Sequence, residues 1–254
     1  MSWNPDLYLS FAAERTRPAA ELIARIFADT PSRVADLGCG PGNSTAIIGA
    51  RWPNAQIDGI DNSAEMLAQA RNSGIRANWM QADIADWKAG TPYDVVVSNA
   101  TLQWLPDHET LLPELLENAI RGGWFAFQVP RNFDEPCHTL LQDLARDRRW
   151  APHFAAMDRR AGVLKPEHYY EILAARVSAI DIWETRYVQQ LSGEDAVFRW
   201  MSGTGARPYF ARLDGTNREE FEEEYRARLR AAYPQRTDGV TLFPFLRLFA
   251  VARR

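Results

Sequence analysis

The 254-residue sequence predicts an α/β fold: a doubly wound, mostly parallel sheet with helical insertions over its strand ends. Three observations carry that prediction. From residue 33 to 130, short runs rich in β-branched and aromatic residues alternate with helix-periodic runs, the pattern of parallel strands joined by helical crossovers. A glycine-rich turn, LGCGPGN, closes the first of those runs. Beyond residue 131 the alternation gives way to longer charged helical blocks, interrupted by two more strand-like runs.

The elements follow in order from residue type and spacing. RVADLG (33–38), QIDGID (56–61), RANWMQAD (76–83), YDVVVSNA (93–100) and WFAFQVP (124–130) are short apolar runs bounded by turn residues, as buried strands are. Between them, NSTAIIGARWP, SAEMLAQARNSG and DHETLLPELLENAIRGG place apolar residues at helical spacing. Each opens on Asn, Ser or Asp, which can cap free N–H groups, and each ends on Pro or Gly. A charged, aromatic-rich stretch (131–165) precedes the helix KPEHYYEILAARV and the strand SAIDIWETRYVQQL. A helical block from Glu194 to Tyr233 follows, in which DGTNREEFEEEYRARLR reads as a solvated face, and TLFPFLRLFAVARR reads as a last strand. The chain thus divides into an N-terminal helical segment (1–30) expected to close over a ligand, a binding core (31–130), and the rest of the sheet with its cap insertions (131–254, the insertions at about 131–165 and 192–240).

Composition narrows the function. At 46% hydrophobic and 24% charged the chain can bury a full core, and no run is long enough to span a bilayer. The start, MSWNPDLYLSFAAERTRP, lacks a basic segment followed by an apolar one, so a cytoplasmic location is expected. A net charge of −4 argues against a nucleic-acid surface. Cys39 and Cys137 have no paired spacing, and His108, His138, His153 and His168 are scattered, so no metal site is expected.

The turn after the first strand is the informative motif. Gly38, Gly40 and Gly42 let a ligand approach the main chain, and Asn43, Ser44 and Thr45 can cap the helix that follows. The spacing is not the nicotinamide fingerprint, whose third glycine place holds Asn43, and the Lys-Ser/Thr of a phosphate loop is absent. The D-x-G-x-G-x-G pattern from Asp36, the acid Asp61 closing the second strand, ADI (82–84) after the third and DVVVSNATLQWL at the fourth together resemble the class I S-adenosylmethionine-dependent methyltransferases. That resemblance implies a Rossmann-like methyltransferase fold, with S-adenosylmethionine as cofactor, S-adenosylhomocysteine as product and no metal. It also implies roles. Asp36 answers the cofactor's ammonium directly or through water, Asp61 accepts from the ribose hydroxyls, and Asp83 accepts from the adenine amine while Ile84 packs on the ring. Gly38, Gly40, Gly42, Asn43, Asn62, Asn99 and Ala100 complete the implied cofactor set. The acids make chemical sense, because this cofactor carries a sulfonium and an ammonium but no phosphate.

The acceptor is approached by exclusion. Ser98-Asn99-Ala100-Thr101 lacks the two prolines and aromatic of amino-methylating nucleic-acid enzymes, no cysteine nucleophile follows the fourth strand, and no His/Asp pair stands ready to deprotonate an alcohol. An acceptor already anionic at neutral pH, such as a carboxylate, needs no base. WNPDLYLSFAAERTRPAAELIARI, TGARPYF and RLFAVARR narrow the resemblance to enzymes that form a monomethyl ester on a small tricarboxylic acid, and trans-aconitate is the acceptor this implies. A chain in which Lys88 and Lys165 are the only lysines beside 27 arginines suits that acceptor, because guanidinium forks pair carboxylates bidentately. Arg207 is the leading acceptor-binding candidate, followed by Arg131, Arg17 and Arg247, with Trp104, Trp183 and Trp200 as possible pocket walls. No catalytic base is assigned; Tyr8, Asn99 and Tyr209 are candidates to position the reacting carboxylate. Two rivals stay open: another small-molecule or carrier-protein methyltransferase, and a non-catalytic S-adenosylmethionine-binding regulator. The oligomeric state is not legible.

Overall fold

The computed structural model describes residues 12–155, 157 and 162–254, with side chains from residue 16 onward. The chain splits into two compact units, one built from Ala13–Pro130, Ala161–Thr185 and Arg247–Arg254, the other from Arg131–Arg160 and Arg186–Leu246 among its described parts. The first is here termed the core unit and the second the insertion unit.

Through the core unit run α1 (Ala12–Ala24), β1 (Arg33–Leu37), α2 (Asn43–Arg51), β2 (Gln56–Asp61), α3 (Ala64–Asn72), β3 (Asn78–Gln81), β4 (Tyr93–Asn99), α4 (His108–Leu116) and β5 (Ala119–Pro130). The remaining elements are α5 (Pro136–Arg146), α6 (Ala151–Phe154), α7 (Pro166–Leu173), β6 (Ala179–Ser192), α8 (Ala196–Ser202), α9 (Arg207–Phe210), α10 (Gly215–Ala232) and β7 (Val240–Arg253). The seven strands form one sheet in the order β3-β2-β1-β4-β5-β7-β6. β1 to β5 pair in parallel, and β7 runs antiparallel to β5. The architecture is the doubly wound, mostly parallel sheet that the sequence predicts. Its strand order reverses between β1 and β4, and ligands of such sheets bind at the carboxyl ends of the strands beside that reversal.

The strand residues alternate between two covered faces, which is why the strands read as continuous apolar runs. Ala35, Leu37, Ile60, Val96, Phe125, Phe127 and Val129 pack in one cluster with Leu111, Leu112, Leu115 and Leu116 of α4 and with Tyr169 and Leu173 of α7. Trp124 points to the opposite face, where the ring of Phe27 meets its edge at 6.2 Å. The insertion unit has its own core, in which Leu141, Trp150, Phe154, Trp200, Phe221, Tyr225 and Phe243 pack together. Trp200 is therefore a core residue, not a pocket wall. Cys137 opens α5 with its amide donating to Tyr233 Oη at 3.0 Å and its carbonyl accepting from the Tyr225 hydroxyl at 2.6 Å. Burial pushes its thiol up to about 12, so it is no nucleophile at neutral pH. No helix of the described residues is long and apolar enough to cross a membrane.

Two boundaries differ from the sequence reading. DHETLLPELLENAIRGG stops being a helix at Leu116, and β5 starts at Ala119. Asn118 makes the switch: its side chain donates to the Leu115 carbonyl at 3.3 Å and accepts from the Ala89 amide at 2.7 Å, while its carbonyl takes the Tyr93 amide at 2.8 Å. The glycines read as a helix stop sit inside the strand, where Gly122 (φ 81) accompanies a register shift between β4 and β5. The block from Glu194 to Tyr233 is three helices, and α10 buries only Phe221, Tyr225 and Leu229, a four-residue repeat that leaves the rest of its surface to water.

At the edge of the sheet Trp79 lies opposite Gly59 in the β2–β3 ladder, and its ring covers the glycine so closely that a Cβ on Gly59 would stand 2.5 Å from it. The same ring lies 3.0 Å from the Cβ position of Gly42. Gly59→Ala should therefore cost about 1–3 kcal/mol through forced displacement of the indole. Gly90→Ala, at a position with nothing within 4 Å, should stay within about 0.5 kcal/mol of the parent. Thermal melts of the two variants check this; equal melting temperatures would show that the indole yields at no cost.

Candidate functional site

The chain leaves β1 in a turn clamped from both sides. The Gly38 amide donates to the Ile60 carbonyl of β2 at 2.7 Å, and a Cβ on Gly38 (φ 70) would lie 2.1 Å from the Thr101 methyl beyond β4. Only glycine fits there. At Gly40 (φ 54) the space around a would-be Cβ is open to 4 Å, so the main chain there is accessible to a ligand. Gly42, not Asn43, is the N-cap of α2, with no side-chain cap on the helix. The first-turn amides of α2 are thus available to an anionic group such as the carboxylate of an amino acid.

Ser44 and Thr45, expected among the caps, serve Asp36 instead. Their hydroxyls donate to Asp36 Oδ2 at 2.8 and 2.6 Å, tying the end of β1 to the first turn of α2. Asp36 is wholly buried, and its Oδ1 has no partner among the described residues. Desolvation pushes its pKa up to about 6 against the lowering effect of the two hydroxyls, and the Asp61 charge adds to the rise. Such a carboxylate suits a cation that leaves water together with it.

Asp61 closes β2 half-buried, with Oδ2 accepting from the Gly40 amide at 2.9 Å and Oδ1 from the Ser63 amide at 2.8 Å. Each oxygen keeps a second lone pair, so two further hydroxyl donors can be accommodated. Asp83 is exposed; its Oδ1 accepts from the Ala85 amide at 2.9 Å, which leaves Oδ2 for an outside donor, and Ile84 beside it is buried. Asp36, Asp61 and Asp83 lie at or just beyond the carboxyl ends of three strands that are neighbours in the sheet. Asn43 and Asn62 are exposed. At the end of β4 Asn99 has a buried Oδ1 without a partner among the described residues, and Ala100 takes the left-handed conformation (φ 53), unusual for a residue with a Cβ.

The acceptor candidates divide between the units. In the insertion unit, Arg207 opens α9 exposed, and no described acid pairs with it. Arg131 is half-buried with its amide on the Leu246 carbonyl at 2.9 Å, and Tyr209 is buried beside Phe154. In the core unit, Arg17 pairs with Glu21 at 2.7 Å, and Arg247 is buried and donates to Gln128 Oε1 at 3.1 Å. Trp104 stands 64% exposed, and Trp183 stacks on Phe249 at 4.9 Å. Tyr8 lies outside the described residues. His108 is committed to the fold: Nε2 donates to the Leu102 carbonyl and Nδ1 takes the Tyr169 hydroxyl, both at 2.8 Å. Burial pushes the His138 pKa down to about 4.

The sequence reading did not single out Gln128 of β5 or the clamp of Thr101 on Gly38. Gln128 carries a signal, a polar residue inside the apolar run WFAFQVP. Thr101 carries none.

The raised pKa of Asp36 has a definite sign. Its contribution favours the folded state below the unfolded-state value near 3.8 and is lost as the pH rises through about 6. Asp36→Asn has no such titration. Its stability relative to the parent should therefore improve by up to about 3 kcal/mol between about pH 4 and about pH 7, read from urea melts. A difference that does not change with pH would mean that Asp36 titrates normally.

Residues 34–123 match a methyltransferase-domain family. The trans-aconitate 2-methyltransferase of Streptomyces avermitilis is 47% identical over 262 residues, covering 100% of this chain and 97% of that one. The enzyme of the same name from Azoarcus sp. is 45% identical over 253 residues, covering 100% and 99%. Among solved structures, the YcgJ protein from Bacillus subtilis superposes with a TM-score of 0.59 at 12% identity, covering 94% of this chain and 99% of that one, a likeness of fold alone. With identity at this level running from end to end, the chain belongs to the trans-aconitate 2-methyltransferase family, within the class I S-adenosylmethionine-dependent methyltransferases.

Proposed function

We propose that this protein transfers the methyl group of S-adenosylmethionine to one carboxylate of trans-aconitate, releasing a monomethyl ester and S-adenosylhomocysteine, without a metal. The observation that carries this reading is that the likeness to the named relatives covers the whole chain, insertions included, rather than the matched methyltransferase domain alone. The donor set supports it: a buried carboxylate with a free oxygen, an open glycine backbone and an uncapped helix start suit an amino acid bearing a cationic sulfur.

In this reading Asp36 answers the donor's ammonium, the α2 amides its carboxylate, Asp61 the ribose hydroxyls, and Asp83 with Ile84 the adenine. Bound there, S-adenosylmethionine supplies an electrophilic methyl on a sulfonium. The protein's task is then to hold a carboxylate oxygen in line with that methyl, and positioning of this kind is worth about 7 to 11 kcal/mol. No proton has to be removed, so the commitment of His108 to its neighbours costs the reaction nothing. Opposite charges disappear as the bond forms, so strong cations belong on the carboxylates that do not react. Arg207 is proposed for one of them, supported by its exposure and by the absence of an ion pair to a described acid.

Turnover of trans-aconitate with S-adenosylmethionine, insensitive to chelators, is the expected result. Arg207→Lys keeps the charge and loses the planar fork, and should lower kcat/KM by at least about tenfold while S-adenosylhomocysteine binds as before. Asp36→Asn should weaken the binding of S-adenosylhomocysteine and remove its decline below about pH 6. A parent that ignores di- and tricarboxylates but methylates an acyl carrier or a phenol would leave only the methyltransferase class.

A further inference from the structure

Beneath the carboxyl ends of β4 and β5 a row of polar side chains reaches across to β7 through an otherwise apolar part of the core unit. Asn99 and Gln128 are partners in the β4–β5 ladder, and Arg247 stands two residues beyond the partner of Gln128 on β7, on the same face of the sheet. Gln128 is 0% exposed and Arg247 4%. Burying an amide and a guanidinium among Val97, Ala126 and Phe249 is costly unless each is hydrogen-bonded.

One contact orients the row. Arg247 donates to Gln128 Oε1 at 3.1 Å, so the amide NH2 of Gln128 must face the other way, and there Nε2 is buried with no acceptor among the described residues. Its ladder partner has the opposite fault, for Asn99 Oδ1 is buried with no donor. The two do not satisfy each other although they are neighbours. A buried group of this kind costs about 1–3 kcal/mol. Functional sites are where such costs are retained.

We propose that Gln128 is an acceptor-binding residue: its NH2 donates to a carboxylate oxygen of the polycarboxylate, with Arg247 holding the amide in that orientation and supplying positive charge behind it. The inference rests on the proposed function. A donor group without an acceptor suits the anionic acceptor, and Asn99 Oδ1, an acceptor without a donor, suits the cationic methyl donor. The place where these two faults adjoin is where the two reactants meet. It also accounts for a glutamine inside the run WFAFQVP, where a purely structural position would take an apolar residue.

Gln128→Glu separates binding from support. It keeps an oxygen for Arg247, so a structural role survives, but it replaces the NH2 donor by a negative charge. The KM for trans-aconitate should rise about tenfold or more, while the affinity for S-adenosylhomocysteine and the melting temperature stay near the parent's. The unmutated protein offers a second reading. In a nitrogen–proton correlation spectrum of the S-adenosylhomocysteine complex, the Gln128 side-chain amide signal should shift when trans-aconitate is added. An unchanged KM in a folded variant, or an unmoved amide signal at saturating acceptor, overturns the role of Gln128 and leaves the proposed function standing. A parent with no turnover of trans-aconitate overturns both.

Discussion

The structure of the core unit hangs on a buried carboxylate. Asp36 sits near the carboxyl end of an interior strand, where nothing charged is comfortable, and it is retained by two hydroxyls from the helix that follows it. Those bonds fix how α2 leaves β1. The direction of α2 sets where its free amides point, and the turn between them can close only because Gly38 passes between β2 and Thr101. A single electrostatic liability thus organises a strand end, a turn and a helix start. The liability is tolerable if the site's purpose is to receive a cation, because a buried charge is costly alone and much less so when paired.

Around that centre two acids brace the backbone and keep acceptor capacity to spare. Asp61 holds Gly40 and Ser63 by their amides and still has lone pairs facing outward. Asp83 closes its own turn with one oxygen and leaves the other open. Acids braced in this way are held in one orientation, so a ligand that used their free lone pairs would cost them little conformational entropy.

Much of the fold was legible because buried parallel strands advertise themselves. RVADLG, QIDGID and YDVVVSNA lie within one residue of β1, β2 and β4, since both faces of each strand are covered and every position prefers an apolar or small residue. The misread stretch, ENAIRGG, failed because a helix stop and a bulge use the same residue: Gly122 looks like an end and is a kink inside β5. The glycine turn was legible because Gly38, Gly40 and Gly42 alternate directly behind Asp36. The side-chain partners were not, as the capture of Ser44 and Thr45 by Asp36 illustrates. Among 27 arginines, residue type says nothing about which are engaged. The pairing of Arg17 with Glu21 and the burial of Arg247 against Gln128 are facts of three-dimensional placement.

The indole of Trp79 joins positions that are far apart in the chain. It lies on Gly59 from the neighbouring strand and reaches Gly42 in the turn. A side chain at Gly59 requires the indole to move or a smaller residue at 79, whereas Gly42 is held to glycine by its own φ of 98 and by Ile75, 2.9 Å from its Cβ position, as well as by the indole. Positions 59 and 79 therefore cannot drift independently. In evolutionary terms the residue tolerated at 59 depends on the residue at 79, an epistatic link that ties the glycine turn after β1 to the outermost strand of the sheet.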